Sequence, residues 1–176
     1  AFAPYVYAYP PTRSYRPIRD FPLEAATFTP EANLYVHSPF CEQKCSFCGY
    51  FVVADPSGHL QDAYVDALVA EIRLYRKRGI LAGKTVTSVN FGGGTPSLLT
   101  VPQLARLFLA LANACPSFHA TAQEISIEAT PESVSPERAA AWLDLGIRRV
   151  SLGVQSFDAG EIAATRRHNL PDVSRQ

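Results

Sequence analysis

Four times between Leu34 and His168 a short β-forming run gives way to a longer amphipathic segment, and this alternation most constrains what the chain can fold into. Strands that are each followed by a helix lie parallel in one sheet, because the helix is the crossover that returns the chain to the same edge. The first unit predicts a strand from Leu34 to His37, a cysteine loop, and a helix over 58–78 in which Leu60, Tyr64, Leu68 and Ile72 recur every four residues before a Gly79 cap. The second predicts a strand from Thr85 to Phe91, a glycine loop, and a helix over 101–113. A Thr100/Gln103 capping box opens that helix, Leu104, Leu107, Phe108 and Leu111 face inward, and Cys115 falls just beyond. The third takes Glu124 to Glu128 as strand, Ser135 as N-cap, Pro136 as first helical residue, Trp142 and Leu143 as the buried face and Gly146 as the stop. The fourth takes Arg149 to Val154 as strand, with Asp158 and Glu161 boxing the start of a helix toward His168. The expected fold class is α/β: a partial parallel βα barrel of about four units over 34–176, behind an irregular lead over 1–33.

Strand neighbours point to opposite sides of a sheet. Leu34/Val36, Val89/Phe91, Ile125/Ile127 and Val150/Leu152/Val154 therefore make one apolar face, expected under the helices. The other parity holds Tyr35, His37, Asn90, Ser126, Glu128, Ser151, Gly153 and Gln155, a polar set suited to lining the cavity of a barrel whose site lies at the carboxyl ends of its strands.

Composition narrows the class. At 176 residues, 47% hydrophobic and 18% charged, the chain can bury one core, and its 16 basic and 16 acidic residues leave no basic excess for nucleic acid. Arg73, Arg76, Lys77 and Arg78 read as a solvated helix end, favoured by the helix dipole. The lead over 1–33 holds six of the 14 prolines, and no stretch of 18 apolar residues occurs, so neither a membrane span nor a signal segment is expected and a cytoplasmic location is.

Cys41, Cys45 and Cys48 crowd one short loop, C-E-Q-K-C-S-F-C, with Cys115 remote. From spacing alone the loop suits a cubane with one iron left open, a zinc site completed by His37 or Cys115, a four-cysteine electron-transfer cluster using Cys115, or buried free thiols. F-G-G-G-T-P at 91–96 follows a strand directly and lets backbone approach a ligand closely, or simply turns tightly. Glu128 and Gln155 end the third and fourth strands on the polar parity. All four features fall on one barrel rim.

Y-V-H-S-P-F-C-E-Q-K-C-S-F-C at 35–48 resembles the cluster motif of radical S-adenosylmethionine (SAM) enzymes, more narrowly the oxygen-independent coproporphyrinogen III oxidase-like family. F-G-G-G-T-P-S, I-E-A-T-P, R-V-S-L-G-V-Q-S-F-D and R-R-H resemble that family in the same order, from about Leu34 to His168. The resemblance implies that Cys41, Cys45 and Cys48 bind a 4Fe-4S cluster whose unique iron chelates S-adenosylmethionine, and that its reductive cleavage yields a 5'-deoxyadenosyl radical. It implies that Tyr35, Gly93 and Glu128 contact this molecule, while Gly94, Thr95, Gln155 and Arg167 hold a second. The implied protein is a radical SAM oxidoreductase, coproporphyrinogen dehydrogenase-like, acting on a tetrapyrrole with reduced flavodoxin or ferredoxin as electron donor. Haem chaperones and radical methyltransferases are relatives within the same resemblance, and a structural zinc domain is the distant alternative. No nucleophile-base pair is found, so no catalytic side chain is assigned.

Three departures are visible. Tyr50 stands where the oxidases typically carry a further cysteine, and Ser38 replaces a branched apolar residue at what is expected to be an outward strand end. A full eight-unit barrel takes about 250 residues, so four units predict an N-terminal piece with an open sheet edge after the fourth strand.

Overall fold

The computed structural model describes residues 30–167 apart from 56, 117 and 166. Most of the expected lead, Arg166 and everything from His168 onward lie outside the described residues. The strands are β1 (Glu31–Ser38), β2 (Phe40–Cys41), β3 (Val53–Ala54), β4 (Thr85–Gly93), β5 (Glu124–Ala129) and β6 (Arg149–Leu152). The helices are α1 (Gln61–Lys77), α2 (Val101–Ala114), α3 (Phe118–Thr121), α4 (Pro136–Asp144) and α5 (Ala159–Ala164). The main sheet has the order β1-β4-β5-β6 and every pairing is parallel, so each new strand joins the edge left by the last, as in an opened barrel wall.

The core fills the space between this sheet and α1 and α2. Val36, Val89, Phe91, Ile125 and Ile127 are buried, and Phe91 stacks on Phe108 with ring centroids 5.2 Å apart. The capping box of α2 forms in full: the Gln103 amide donates to Thr100 Oγ1 at 3.3 Å and the Thr100 amide to Gln103 Oε1 at 2.8 Å. Ser135 caps α4 from the expected place, accepting from the Arg138 amide at 3.3 Å, and Gly79 and Gly146 follow their helices with φ of +70° and +98°.

Several expectations are corrected. β1 begins at Glu31 instead of Leu34, because Thr85 offers Glu31 a register partner and Asn33 Oδ1 accepts from Thr87 Oγ1 at 2.6 Å and Ser88 Oγ at 2.9 Å. On α1 the buried Val65 and Val69 lie one position beyond the expected Tyr64 and Leu68, Ile72 is buried as expected, and Leu60 is exposed. Trp142 is buried but Leu143 is half exposed, since a nine-residue helix turns only one narrow side inward. β6 stops at Leu152, and Val150 and Leu152 are exposed, because no described helix covers this edge strand. Only half of the second capping box forms: Asp158 Oδ1 accepts from the Glu161 amide at 2.9 Å, while the Glu161 carboxylate accepts from Ser156 Oγ.

Ser38 is not at an outward, hydroxyl-tolerant position. It shares the parity of Val36 beneath the helices, is 2% exposed, and its Oγ has no hydrogen-bond partner among the described residues. An unsatisfied buried hydroxyl costs more than the apolar atom that would replace it, so Ser38→Ala is expected to stabilise the protein by about 1 kcal/mol. A denaturant midpoint at or below the wild-type value would refute this.

Candidate functional site

The cysteine loop leaves the carboxyl end of β1 and closes at a neck where β2 pairs with β3, Phe40 opposite Val53 and Cys41 opposite Ala54. The Val53 and Asp55 amides donate to Pro39 O at 2.8 Å and Cys41 O at 3.0 Å. From the other side, the Gly94 and Thr95 amides donate to Ser38 O and Phe40 O, each at 2.7 Å. Residues 38–41 are thus gripped along both edges. Buried Asp55 finishes the neck by accepting from the Gly58 and Leu60 amides at 3.1 Å and from Ser57 Oγ at 2.9 Å. Burial pushes its carboxyl up, but these hydrogen bonds and His59 outweigh burial and hold it below the ordinary value. Farther along, the Ser46 amide and Oγ donate to Thr165 O at 3.1 Å and Ala164 O at 3.2 Å, tying the loop to the end of α5.

The glycine run serves this loop directly. Gly93 has φ +118°, and a β-carbon there would lie 2.6 Å from Ser38 O; one on Gly94 would lie 2.6 Å from Phe40 O and 3.0 Å from Cys41 Sγ. Both glycines thus let the backbone pass close against the neighbouring strand end and the first cysteine. The turn after it is locked by Ser97 Oγ against Ser133 Oγ at 2.6 Å and by Arg138, which donates to Ser97 O and to Leu99 O at 2.9 Å. Arg138 lies over the Trp142 ring, 5.5 Å from its centroid, and burial lowers its pKa.

Glu128, at the end of β5, accepts from the Gly93 amide at 3.1 Å. Gln155 is the one non-glycine with positive φ (+70°) among the described residues, a conformation costing on the order of 1–2 kcal/mol. Such strain concentrates where a side chain must be aimed. The bare α-carbon of Gly153 leaves room for both Gln155 Nε2 and Arg167 Nη1, 3.2 and 3.5 Å from where its β-carbon would be.

These parts surround a cleft of about 370 Å³ at the carboxyl ends of the strands. Cys41, Cys45, Cys48, Gly93, Gly94, Thr95, Glu128, Gln155 and Arg167 all line it. Tyr35, the remaining expected site residue, does not: it stands on the same sheet face, 59% exposed, tilted against His37 at 5.9 Å. Burial and then the negative charge of Glu128 push its phenol up. Sequence reasoning missed Thr130 and Glu132, which also line the cleft. The signal was there in the echo of T-P-S at 95–97 by T-P-E-S at 130–133, two turns at equivalent strand ends.

The three loop cysteines are free thiols of intermediate exposure. Burial pushes the Cys41 thiol up, Thr95 opposes it by its hydrogen bond, Cys45 and Cys48 push it further up and the Arg167 charge opposes them. Cys115 is 3% exposed inside the core, with its thiol pushed up by burial, and is no fourth ligand to the loop. Among the described residues no three His, Cys, Asp or Glu side chains gather round one point that could hold a single metal ion, as a tetrahedral zinc site requires. In its donor set, three thiols on one loop with Cys115 remote, the site is chemically suited to a cubane, in which each thiolate binds a different iron.

A family model described as the radical SAM superfamily matches residues 35–174. The oxygen-independent coproporphyrinogen III oxidase of Salmonella typhimurium is 37% identical over 139 residues, covering 77% of this chain and 29% of that protein. The heme chaperone HemW of Haemophilus influenzae is 32% identical over 147 residues, covering 82% and 38% respectively. The solved structure of coproporphyrinogen III oxidase from Escherichia coli superposes with a TM-score of 0.77 at 34% identity, covering 86% of this chain and 35% of that one. The chain thus spans about a third of the length of the relatives it matches.

Proposed function

The chain belongs to the radical SAM superfamily, and we propose that it forms the cofactor-cleaving part of an oxidoreductase resembling oxygen-independent coproporphyrinogen III oxidase, with a tetrapyrrole as substrate. The observation that carries this reading is the convergence of Cys41, Cys45 and Cys48 with Gly93, Gly94, Thr95, Glu128, Gln155 and Arg167 on one cleft. Cys41, Cys45 and Cys48 would hold a 4Fe-4S cluster, Tyr35, Gly93 and Glu128 would contact S-adenosylmethionine beside it, and Gly94, Thr95, Gln155 and Arg167 a second molecule. When bound, the cluster supplies the electron for reductive cleavage of the sulfonium.

The rest of the work is positioning. Glu128 commits one carboxylate oxygen to the Gly93 amide, which fixes its rotamer and leaves the other free for a donor such as an ammonium or hydroxyl. Arg167 brings a fixed positive charge to the cleft, suited to a carboxylate. Gln155, held in its strained backbone beside Arg167, presents both an amide donor and an acceptor. The cleft has the size of a small-molecule site. No helix among the described residues is long and apolar enough to cross a membrane. A cytoplasmic setting with a reduced flavodoxin or ferredoxin as donor belongs to the same proposal, supported by the four free thiols.

Anaerobic reconstitution of the full-length protein with iron and sulfide, followed by dithionite and S-adenosylmethionine, is expected to release 5'-deoxyadenosine. An intact cluster that yields none overturns the reading. A second reading, haem delivery, is favoured by Tyr50, which sits 74% exposed on the cysteine loop where the resembling oxidases typically carry a further cysteine. Stoichiometric haem binding without substrate-dependent turnover would select it.

A further inference from the structure

Thr95 is bonded to the cysteine loop twice. Its amide donates to Phe40 O at 2.7 Å, and its Oγ1 lies 3.6 Å from Cys41 Sγ. While Cys41 is a thiol either atom of that contact could donate. A sulfur bound to iron is a thiolate with no proton to give, so the hydroxyl must then be the donor. The neighbouring glycine makes the approach possible: a β-carbon on Gly94 would come within 3.0 Å of the same sulfur. The contact is also held from behind, since residues 38–41 are pinned by the Val53 and Asp55 amides as well as by Gly94 and Thr95.

We propose that Thr95 is an outer-sphere positioning residue for the cluster, its hydroxyl donating a hydrogen bond to the Cys41 thiolate and thereby raising the reduction potential. This rests on the reading that Cys41, Cys45 and Cys48 hold a 4Fe-4S cluster. The direction follows from charge. The reduced cluster carries one more electron, part of which resides on sulfur, so a donor at that sulfur stabilises the reduced form more than the oxidised one. Thr95 would then set how readily the electron is accepted, a role separate from any contact it makes with S-adenosylmethionine.

The test is a redox titration of the reconstituted full-length protein, followed by electron paramagnetic resonance and run without S-adenosylmethionine so that co-substrate binding does not enter. Thr95→Ser keeps the hydroxyl and is expected to titrate with the wild type. Thr95→Val and Thr95→Ala remove it and are expected to titrate at more negative potential, so that at the wild-type midpoint the ratio of reduced to oxidised cluster falls severalfold. Wild-type potentials in both Val and Ala overturn the proposal, as does a Ser variant displaced as far as Ala. Should Val and Ala fail to retain iron while Ser retains it at equal stability of the metal-free proteins, the hydroxyl is shown to secure the cluster; loss from Ser as well overturns that. A wild-type protein that never acquires a cluster refutes the underlying reading instead.

Discussion

Cys41→Ser, Cys45→Ser and Cys48→Ser, made singly in the full-length protein, are each expected to lose most of the bound iron and sulfide and all measurable cleavage of S-adenosylmethionine, while Cys115→Ala keeps both. The three loop thiols line one cleft and have no substitute near them, because Cys115 is sealed in the core beyond α2. Loss of an outer-shell partner alone costs roughly 10–100-fold in metal affinity or activity, and removing an iron ligand should exceed that. Cys115→Ala instead leaves a small cavity among apolar neighbours and should lower stability by about 1–2 kcal/mol without touching the cluster. Iron and sulfide analysis, cluster absorbance and a denaturation curve on the same four variants separate the two outcomes. Full cluster content in any single loop variant, or cluster loss in Cys115→Ala, would contradict the assignment.

The sheet was legible because its cause is local and periodic. Val89/Phe91 and Ile125/Ile127 announce a buried face by alternation alone, and Thr100/Gln103 and Ser135 mark helix starts by hydrogen bonds that reach only three residues. The rim was legible for a related reason: in parallel units the loops after successive strands share one end, so Cys41, Gly93, Glu128 and Gln155 had to meet. What stayed hidden depends on distant partners. Tyr35 has the right parity but is not among the residues lining the cleft; its ring packs over Gly92, where a β-carbon would lie 2.7 Å from it. Val150 and Leu152 alternate as a buried strand should, yet β6 is an edge and remains exposed. The bonds from Ser46 to Ala164 O and Thr165 O join residues more than a hundred positions apart, and Arg138 reaches Ser97 O and Leu99 O from a different βα unit. No periodicity encodes either pair.

Gly94→Ala is expected to abolish cluster loading, whereas Gly49→Ala leaves it unchanged. Both substitutions add one methyl group within or beside the cysteine loop, so the contrast isolates where that methyl falls. At Gly94 it would lie 2.6 Å from Phe40 O, 2.9 Å from Pro39 O and 3.0 Å from Cys41 Sγ. Two of these are backbone oxygens on a segment already fixed by amides of Val53, Asp55, Gly94 and Thr95, so the segment cannot shift without breaking bonds. Overpacking of this kind costs about 1–3 kcal/mol, and relief must come by moving the neck and carrying Cys41 away from Cys45 and Cys48. At Gly49 nothing lies within 4 Å. Gly146→Ala supplies the control for stability alone: its φ of +98° makes the substitution strained, at roughly 1–2 kcal/mol, but its nearest neighbours are His119 and Ile125, remote from the cleft. If general destabilisation were the cause of cluster loss, Gly146→Ala would lose iron in proportion to its fall in midpoint. The geometry requires that it keep its iron while Gly94→Ala, at a similar midpoint, does not; equal iron content in the two would show that the contact between the glycine run and the cysteine loop plays no part in holding the cluster.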